Sequence, residues 1–338
     1  MKITVSSDEQ VFDQLHNEWN DLLHRSSSDL IFLTWEWQST WWKAYQAGQL
    51  WIVTVRDDAE HLVGIGSWFI QHANDERVVR TIGCVDVTDY VDVIVDPAQS
   101  DTVHEALAEF LHENHDTYDR INLCNIQEAS PTLAQLPGKL QARGFDVELE
   151  LQEVCPVIEL PDTWDEYLER LDKKQRHEIR RKIRRAESEA ALQLYIVDET
   201  HEIGEETEKF IALMRASHPE KAKFLEDPSN LAFFKSIVPL IYRCGWLKMS
   251  FLMVNGTPSA AYCDFDYNDR ILVYNSGLLP HENAHLSPGI VLLSYNIHDA
   301  IENKRDVFDF LRGNETYKYR MGAVDTKVFK LKAKIQTA

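Results

Sequence analysis

The chain has no apolar run near the roughly eighteen residues that a membrane-crossing helix needs. Its start, Met1-Lys-Ile-Thr-Val-Ser-Ser-Asp-Glu9, lacks the apolar core of a secretory leader, so the expected location is the cytoplasm. Glycine (13) and proline (11) are sparse in 338 residues, and the 44% hydrophobic content is that of an ordinary globular protein with room for two cores. The five cysteines (84, 124, 155, 244, 263) are an odd, scattered set in apolar surroundings. That pattern argues against a disulfide framework and predicts reduced, buried thiols, none marked as a nucleophile. A Ser-His-Asp order, a Gly-rich phosphate loop and a CxxC pair are also missing. Positive charge is scarce as well: the net charge of −20 argues against DNA and against general nucleic-acid binding.

One stretch reverses that balance. Lys173–Arg185 holds eight Lys or Arg against the single acid Glu178, so this segment carries +7 and the remaining chain −27. Its apolar strip is thin (Ile179, Ile183, Ala186), which turns most of the charge to solvent. A solvated surface helix is the plain reading. Phosphate binding is the functional one, with Lys173, Lys174, Arg176, Arg180 and Arg181 as anion candidates. The phosphates would belong to a nucleotide-activated cofactor, a lipid-linked substrate, an anionic membrane surface or tRNA.

Periodicity lays out two α/β domains, 1–160 and 161–338, divided at Pro161. Residues 9–25 carry Val11, Leu15, Trp19 and Leu22 or Leu23 on one helical face. Thr34 caps a second helix whose four tryptophans (35, 37, 41, 42) anchor it in the core, with one or two at a pocket edge. From Trp51 the period becomes two: strands at 51–56, 62–70, 77–83 and 90–95, a helix at 102–113, a strand at 120–125, a helix at 131–143, then strands at 145–151 and 155–160. Beyond Pro161 a helix starts at Trp164 and continues through the basic segment to about Ser188. A strand (192–197), helices at 202–216 and 229–243, and strands at 246–254, 258–266 and 270–276 follow. Asn255-Gly256 is a hairpin signal. Trp51 and Trp246 open the same order of three strands, a helix and a strand, as in a duplicated unit.

Candidate chemistry gathers between Tyr274 and Gly322. Ser287-Pro288-Gly289-Ile290 reads as a helix start: an N-cap, a residue preset for the first helical position, and no side chain to block approach. Ile290, Leu293, Ile297 and Ile301 form the buried face of that helix. A strand leading into such a start favours an anion such as pyrophosphate. Asp309 follows in a strand between two phenylalanines, where a buried carboxylate needs a partner and Arg312 is nearest. Lys318 and Arg320 alternate with Tyr317 and Tyr319, as on a strand lining a pocket, so that Lys318 could hold an oxyanion. In the first half, Asp89-Tyr90 with Asp92 is a polar group in an apolar run, a base or substrate anchor facing a cleft between halves. His281-Glu-Asn-Ala-His285 spells a zinc motif, but Pro280 and Pro288 bracket it and Ser287-Pro288 stops any helix, so no metal is expected. His112-Glu-Asn-His115 reads as solvated.

The segments Leu171-Asp-Lys-Lys-Gln-Arg176 and Arg180-Arg-Lys-Ile-Arg-Arg185, Ser287-Pro288-Gly289 before Leu292-Leu293, and the closing Phe308-Asp-Phe-Leu-Arg-Gly-Asn-Glu-x-Tyr-Lys318 together resemble the CelD-like acetyltransferases of cellulose biosynthesis. Those belong to the GNAT superfamily and are related to Fem-type peptidoglycan aminoacyltransferases. The resemblance extends from the Trp35–Trp42 helix to Gly322. It implies two tandem GNAT-like domains, each a mixed, mainly antiparallel twisted sheet flanked by helices (α/β in class), with a substrate cleft between or beside them. It also implies a donor pyrophosphate near Ser287, Pro288, Gly289 and Ile290. Lys318 aligns with the lysine of the Fem-type Phe-Lys motif, which is thought to stabilise the transition state. The usual GNAT pyrophosphate loop is replaced by Ser-Pro-Gly. The expected activity is transfer of an acyl group, from acyl-CoA first and aminoacyl-tRNA second, to an amine or hydroxyl of a cell-envelope or exopolysaccharide precursor. Lys318, Asp309 and Asp89 are the catalytic candidates; Tyr90, Trp35, Arg312, Glu315, Tyr317 and Arg320 are the substrate contacts. A non-catalytic binding module in polysaccharide assembly is the reading from another class.

Overall fold

The computed structural model describes residues 1–84, 87–281 and 283–336. Chain contacts divide it into two compact units, Met1–Val154 with the stretch from Thr326 onward, and Cys155–Asp325.

The first unit opens with β1 (Lys2–Ser6), α1 (Gln10–Leu23), α2 (Trp35–Tyr45), β2 (Gln49–Arg56), β3 (Leu62–Ala73), β4 (Glu76–Thr81) and β5 (Ile94–Val95). It continues with α3 (Ser100–Glu113), β6 (Arg120–Gln127), α4 (Pro131–Gln141) and the long β7 (Phe145–Glu159), which carries the chain out at Val154. Strands β1 to β4 are antiparallel neighbours, and β6 joins parallel to β4 through Val78↔Arg120 and Val79↔Ile121. α1 buries the stripe the sequence displays, Val11, Leu15, Trp19, Leu22 and Leu23. Three of the four α2 tryptophans (37, 41, 42) are core residues. α3 lays Val103, Leu107 and Leu111 into the same core as Val53, Trp68 and Ile121.

The second unit contains α5 (Trp164–Arg170), α6 (Lys173–Glu189), β8 (Leu192–Ile196), α7 (Ile203–Ser217), α8 (Pro219–Phe224) and α9 (Pro228–Arg243). Then come β9 (Leu247–Val254), β10 (Thr257–Tyr267), β11 (Arg270–Leu278), α10 (Pro288–Glu302), β12 (Val307–Asp309) and α11 (Thr316–Arg320); β13 (Val324–Ile335) follows and belongs to the first unit from Thr326 on. Strands β8 to β11 are antiparallel in sequence, β12 is parallel to β11, and the end of β7 is antiparallel to β12. Each unit therefore repeats one plan: an antiparallel meander of four strands, a helix, and a further strand parallel to the last of them. The core of this unit joins Val291, Leu292, Leu293, Ile297 and Ile301 of α10 to Leu252, Tyr262, Ile271 and Phe308 of the sheet. On β11, Gly277 is where α7 crosses closest: a Cβ there would lie 2.6 Å from Leu213 Cβ and from the Met214 nitrogen.

Several expectations are corrected. α5 and α6 are separate helices, because Asp172 takes extended backbone and its carboxylate caps the Gln175 N–H at 2.9 Å. The strand expected at 90–95 pairs only at Ile94–Val95. Those expected at 145–151 and 155–160 are one strand, β7. The chain leaves the first unit at Val154 instead of Pro161 and returns to it through β13, antiparallel to β6; neither β1 nor β13 was foreseen. Ile290 lies at a cavity rim, and Val291 takes its place in the core. Finally, Cys84 and Cys124 are joined as a disulfide, whereas Cys155, Cys244 and Cys263 remain thiols.

Candidate functional site

In the second unit β11 pairs with β12 only at its start, Arg270↔Val307, Ile271↔Phe308 and Leu272↔Asp309. From Val273 to Leu278 that edge continues without a strand partner among the described residues. The opposite edge bulges at the same place: Cys263 faces Asn275 and Asp264 faces Val273, so Tyr274 is the extra residue. Beside the open edge lies a cavity of about 320 Å³ bounded by Tyr262, Ser276, Leu278, Tyr317 and the start of α10.

That start is built differently from expectation. Ser287 has φ 54° and ψ 53°, and its hydroxyl makes no cap hydrogen bond. A capping side chain reaches the helix N–H groups from extended backbone, which left-handed Ser287 does not have. Its carbonyl instead accepts from the Ile290 and Val291 N–H groups at 3.0 and 3.1 Å. Pro288 has no N–H to satisfy, and Gly289 leaves the approach open: a Cβ there meets only Leu278 Cδ1, at 3.8 Å.

A second cavity, of about 450 Å³, is walled by Lys174 and Lys182 of α6 and Arg320 of α11, over Ile179 and Met321. Ile290 and Tyr317 line both cavities. Lys174 and Arg320 have no ion-pair partner among the described residues. Glu178 also reaches this wall, but Arg181 binds it at 2.8 and 2.9 Å and holds its carboxyl below the usual range. Burial raises the Tyr317 hydroxyl well above its ordinary pKa, so it stays a neutral donor; its ring stands edge-on to Phe310 with centroids 6.0 Å apart. Of the other anion candidates, Lys173, Arg180 and Arg181 are exposed and Arg176 is half-buried, none of them lining the cavity. Lys182, which was not in that set, does line it.

The segment after β12 is a tight loop, with Leu311 at φ 56° and Gly313 at φ 110°. Lys318 points back into it. Its Nζ donates to the carbonyls of Leu311, Arg312 and Gly313 at 3.3, 2.9 and 3.0 Å and pairs with Glu315 at 2.9 Å, with 3% of the side chain exposed. Residues 316–320 form one helical turn, not the expected strand, because these carbonyl bonds curl the chain back on itself. Asp309 is buried; Arg270 donates to its Oδ2 at 3.3 Å, and the Leu311 N–H donates to Oδ1 at 2.8 Å. The candidates Ser287 to Ile290, Tyr317 and Arg320 are thus brought to the two cavities, and Lys318, Asp309 and Glu315 to the loop behind them.

Other candidates lie apart. Trp35, Asp89, Tyr90 and Asp92 belong to the first unit. Trp35 Nε1 donates to the Phe12 carbonyl at 2.7 Å, Tyr90 is buried against Phe32, and Asp92 accepts from Ser28 Oγ at 2.6 Å. Asp89 is half-buried. In the zinc-like motif Glu282 lies outside the described residues, Asn283 is left-handed and Ala284–Leu286 is a short 3-10 turn. Among the described residues no group of three His, Cys, Asp or Glu could hold a metal.

The sequence reading missed Asp264, although a carboxylate inside the apolar run Ala260–Phe265 was visible. It is fully buried on β10, takes one bond at Oδ2 from Asn296 Nδ2 at 3.3 Å, and leaves Oδ1 without a partner. Burial raises its pKa well above the carboxylate range, against the pull of Lys248, which itself pairs with Asp299. A raised folded-state value stabilises the fold fully below the unfolded pKa of about 3.9 and less as pH climbs through the folded value. Asp264→Asn should therefore gain stability relative to the wild type between pH 4 and pH 7. Urea denaturation at both pH values measures this. Parallel curves would show that Asp264 ionises alike in the folded and unfolded chain.

Residues 173–319 match the family model of the acetyltransferase (GNAT) domain. No curated protein sequence matches the chain. Among solved structures it is similar to FemX, at 12% identity with a TM-score of 0.66, covering 98% of this chain and 97% of that one. The C-terminal domain of a putative lysylphosphatidylglycerol synthetase from Agrobacterium fabrum aligns at 8% identity and TM-score 0.57, with 95% and 91% coverage. A tandem GNAT protein from the clavulanic acid biosynthesis pathway aligns over all of both chains, at 11% identity and TM-score 0.51. At these identities the likeness bears on the fold: two tandem GNAT-like units, each a mainly antiparallel sheet flanked by helices. The CelD-like subfamily is not among these matches.

Proposed function

We propose that the chain is an acyltransferase that moves an acyl group from acyl-CoA to an amine or hydroxyl of a phosphate-bearing cell-envelope or exopolysaccharide precursor. One observation carries this reading: an apolar cavity beside the stretch of β11 beyond its pairing with β12, at a helix start, meets a cationic cavity at Ile290 and Tyr317. The thioester arm runs along β11 with its pyrophosphate at the helix start, where the Gly289 N–H and the helix dipole favour negative charge. The acceptor's phosphates lie between Lys174, Lys182 and Arg320, so the two reacting groups meet at the shared wall. Asp309 and Lys318 fix the loop that carries Tyr317. The match of residues 173–319 to an acetyltransferase domain supports the reaction class, and a neighbour described as a lysylphosphatidylglycerol synthetase is in keeping with an envelope acceptor. The reading places the protein in the cytoplasm, beside the CoA pool.

Calorimetric titration with acetyl-CoA, comparing wild type with Gly289→Leu, tests it. Leucine is a better helix former than glycine and its Cβ is unobstructed, so the helix should persist while the side chain fills the cavity. Binding by the wild type and a loss of about 100-fold, ~2.7 kcal/mol, in the variant is the expected result. Equal affinities would move the donor elsewhere.

A second donor, aminoacyl-tRNA, is favoured by the exposed basic face of α6, Lys173, Lys174, Arg180, Arg181 and Arg184. Binding of charged tRNA that weakens steeply with salt, without acetyl-CoA binding, would select it.

A further inference from the structure

Lys221 lies on α8, outside every motif of the sequence, yet its amine reaches the open edge of β11. Nζ donates to the Ser276 carbonyl at 2.6 Å and approaches Ser276 Oγ at 3.3 Å, and Ser276 lines the apolar cavity. The groups around it are few. β11 presents the Ser276 hydroxyl and carbonyl, and Glu315 is the charged residue whose field reaches the amine. On its own element, His218 accepts from the Glu220 N–H at 3.2 Å and lies 3.8 Å from the Glu220 carboxylate, and Lys223 is exposed. A half-buried lysine amine with one acid near it among the described residues is unusual for a surface helix. Asp309, the carboxylate the sequence offered as a base in this unit, is already held by Arg270 and the Leu311 N–H.

We propose that Lys221 is the general base of the transfer, taking the proton that the acceptor amine or hydroxyl loses as it attacks the donor thioester. This assignment rests on the acyl-CoA reading given above. The bond from the acceptor nitrogen or oxygen to the acyl carbon forms and the carbon–sulfur bond breaks. The proton passes to the free amine of Lys221, and the resulting ammonium returns it to the departing thiolate, so that lysine begins and ends neutral. Burial, opposed by Glu315, brings the amine down to about 8, so a sizeable fraction is the free base just above neutrality. The contact with the Ser276 carbonyl holds Nζ beside the cavity in either protonation state, because amine and ammonium both donate.

The test measures acetyl-CoA binding by calorimetry, and thiol release from acetyl-CoA with amino-sugar acceptors between pH 6 and 10. It compares wild type, Lys221→Met and Lys221→Arg. The wild-type rate should rise with pH through one ionisation near 8 and then level off. Lys221→Met should bind acetyl-CoA as the wild type does, turn over about 100-fold more slowly or worse, and lose that ionisation. Lys221→Arg keeps the charge and can still donate to Ser276, but a guanidinium does not give up its proton in this range, so it should not rescue the rate. Full activity in Lys221→Arg would overturn the assignment and leave only a structural cation. An unchanged pH profile in Lys221→Met would overturn it too, with the donor reading intact. Failure of the wild type to bind acetyl-CoA would instead remove the donor reading, and the assignment with it.

Discussion

Lys318→Met is expected to lower the unfolding free energy of the second unit by about 3–5 kcal/mol, with any loss of turnover following from that. The ammonium is nearly inaccessible, and three of its contacts are carbonyls of one loop, Leu311, Arg312 and Gly313. That loop needs holding, because Leu311 has a left-handed backbone that a leucine does not adopt unaided. Methionine has a similar length and fills the space but supplies no donor, so the carbonyls lose charge-assisted bonds that water cannot easily replace. Glu315 is less affected, since more than half of its side chain is exposed and solvent can take over the lysine's role. Tyr317 and Arg320 sit on the helical turn that Lys318 shares, so both cavities should lose definition when the loop opens. Urea denaturation followed by the fluorescence of Trp164 and Trp246 reads the stability directly. A variant with an unchanged midpoint and abolished turnover would reverse the reading and return Lys318 to an oxyanion.

The behaviour of Lys318 shows what the sequence could and could not reveal. The residue types of the tail were legible, and so was the helix start at Ser287-Pro288-Gly289, because proline and glycine carry fixed backbone meanings. The meander and hairpins were legible from period-two patterning and from turns such as Asn255-Gly256. Hidden from the pattern was whatever depends on a residue's partner in space. Alternating Lys and Tyr looks the same on a strand as on one helical turn until the carbonyls of 311–313 are known to lie behind Lys318. For Asp309 the sequence offered only its neighbour Arg312; Arg270 of the adjacent strand also pairs with it, at 3.3 Å, because the register sets Arg270 against Val307 and Leu272 against Asp309. Lys221 carried no local signal. Its burial comes from the packing of α8 beside an edge that opens only because β12 stops at Asp309.

The first unit supplies the other large effect. Reducing the Cys84–Cys124 disulfide should cost that unit about 4 kcal/mol, the loop-entropy value for a closed loop of this size, the cysteines being 40 residues apart. Composition pointed the other way, since five scattered cysteines in an apolar setting read as thiols. The bond follows from a pairing that composition cannot show. Val78 and Val79 lie parallel to Arg120 and Ile121, so the continuations of β4 and β6 leave the register side by side and bring the two Cα atoms to 6.0 Å. The same divergence of parallel strands opens a cavity in the second unit; here it is tied across. Thiol counting in denaturant is the first check: three reactive thiols are expected before reduction, Cys155, Cys244 and Cys263, and five after it. Five at the outset would remove the bond. Denaturation with and without reductant then gives its contribution, and the Cys84→Ser/Cys124→Ser double variant should match the reduced protein and ignore reductant. Alkylation of thiols in intact cells extends the argument to location, because a reducing cytoplasm works against such a bond while an oxidising compartment preserves it. Two protected cysteines in the cell would count against the cytoplasmic placement and, with it, against access to the CoA pool on which the proposed donor depends.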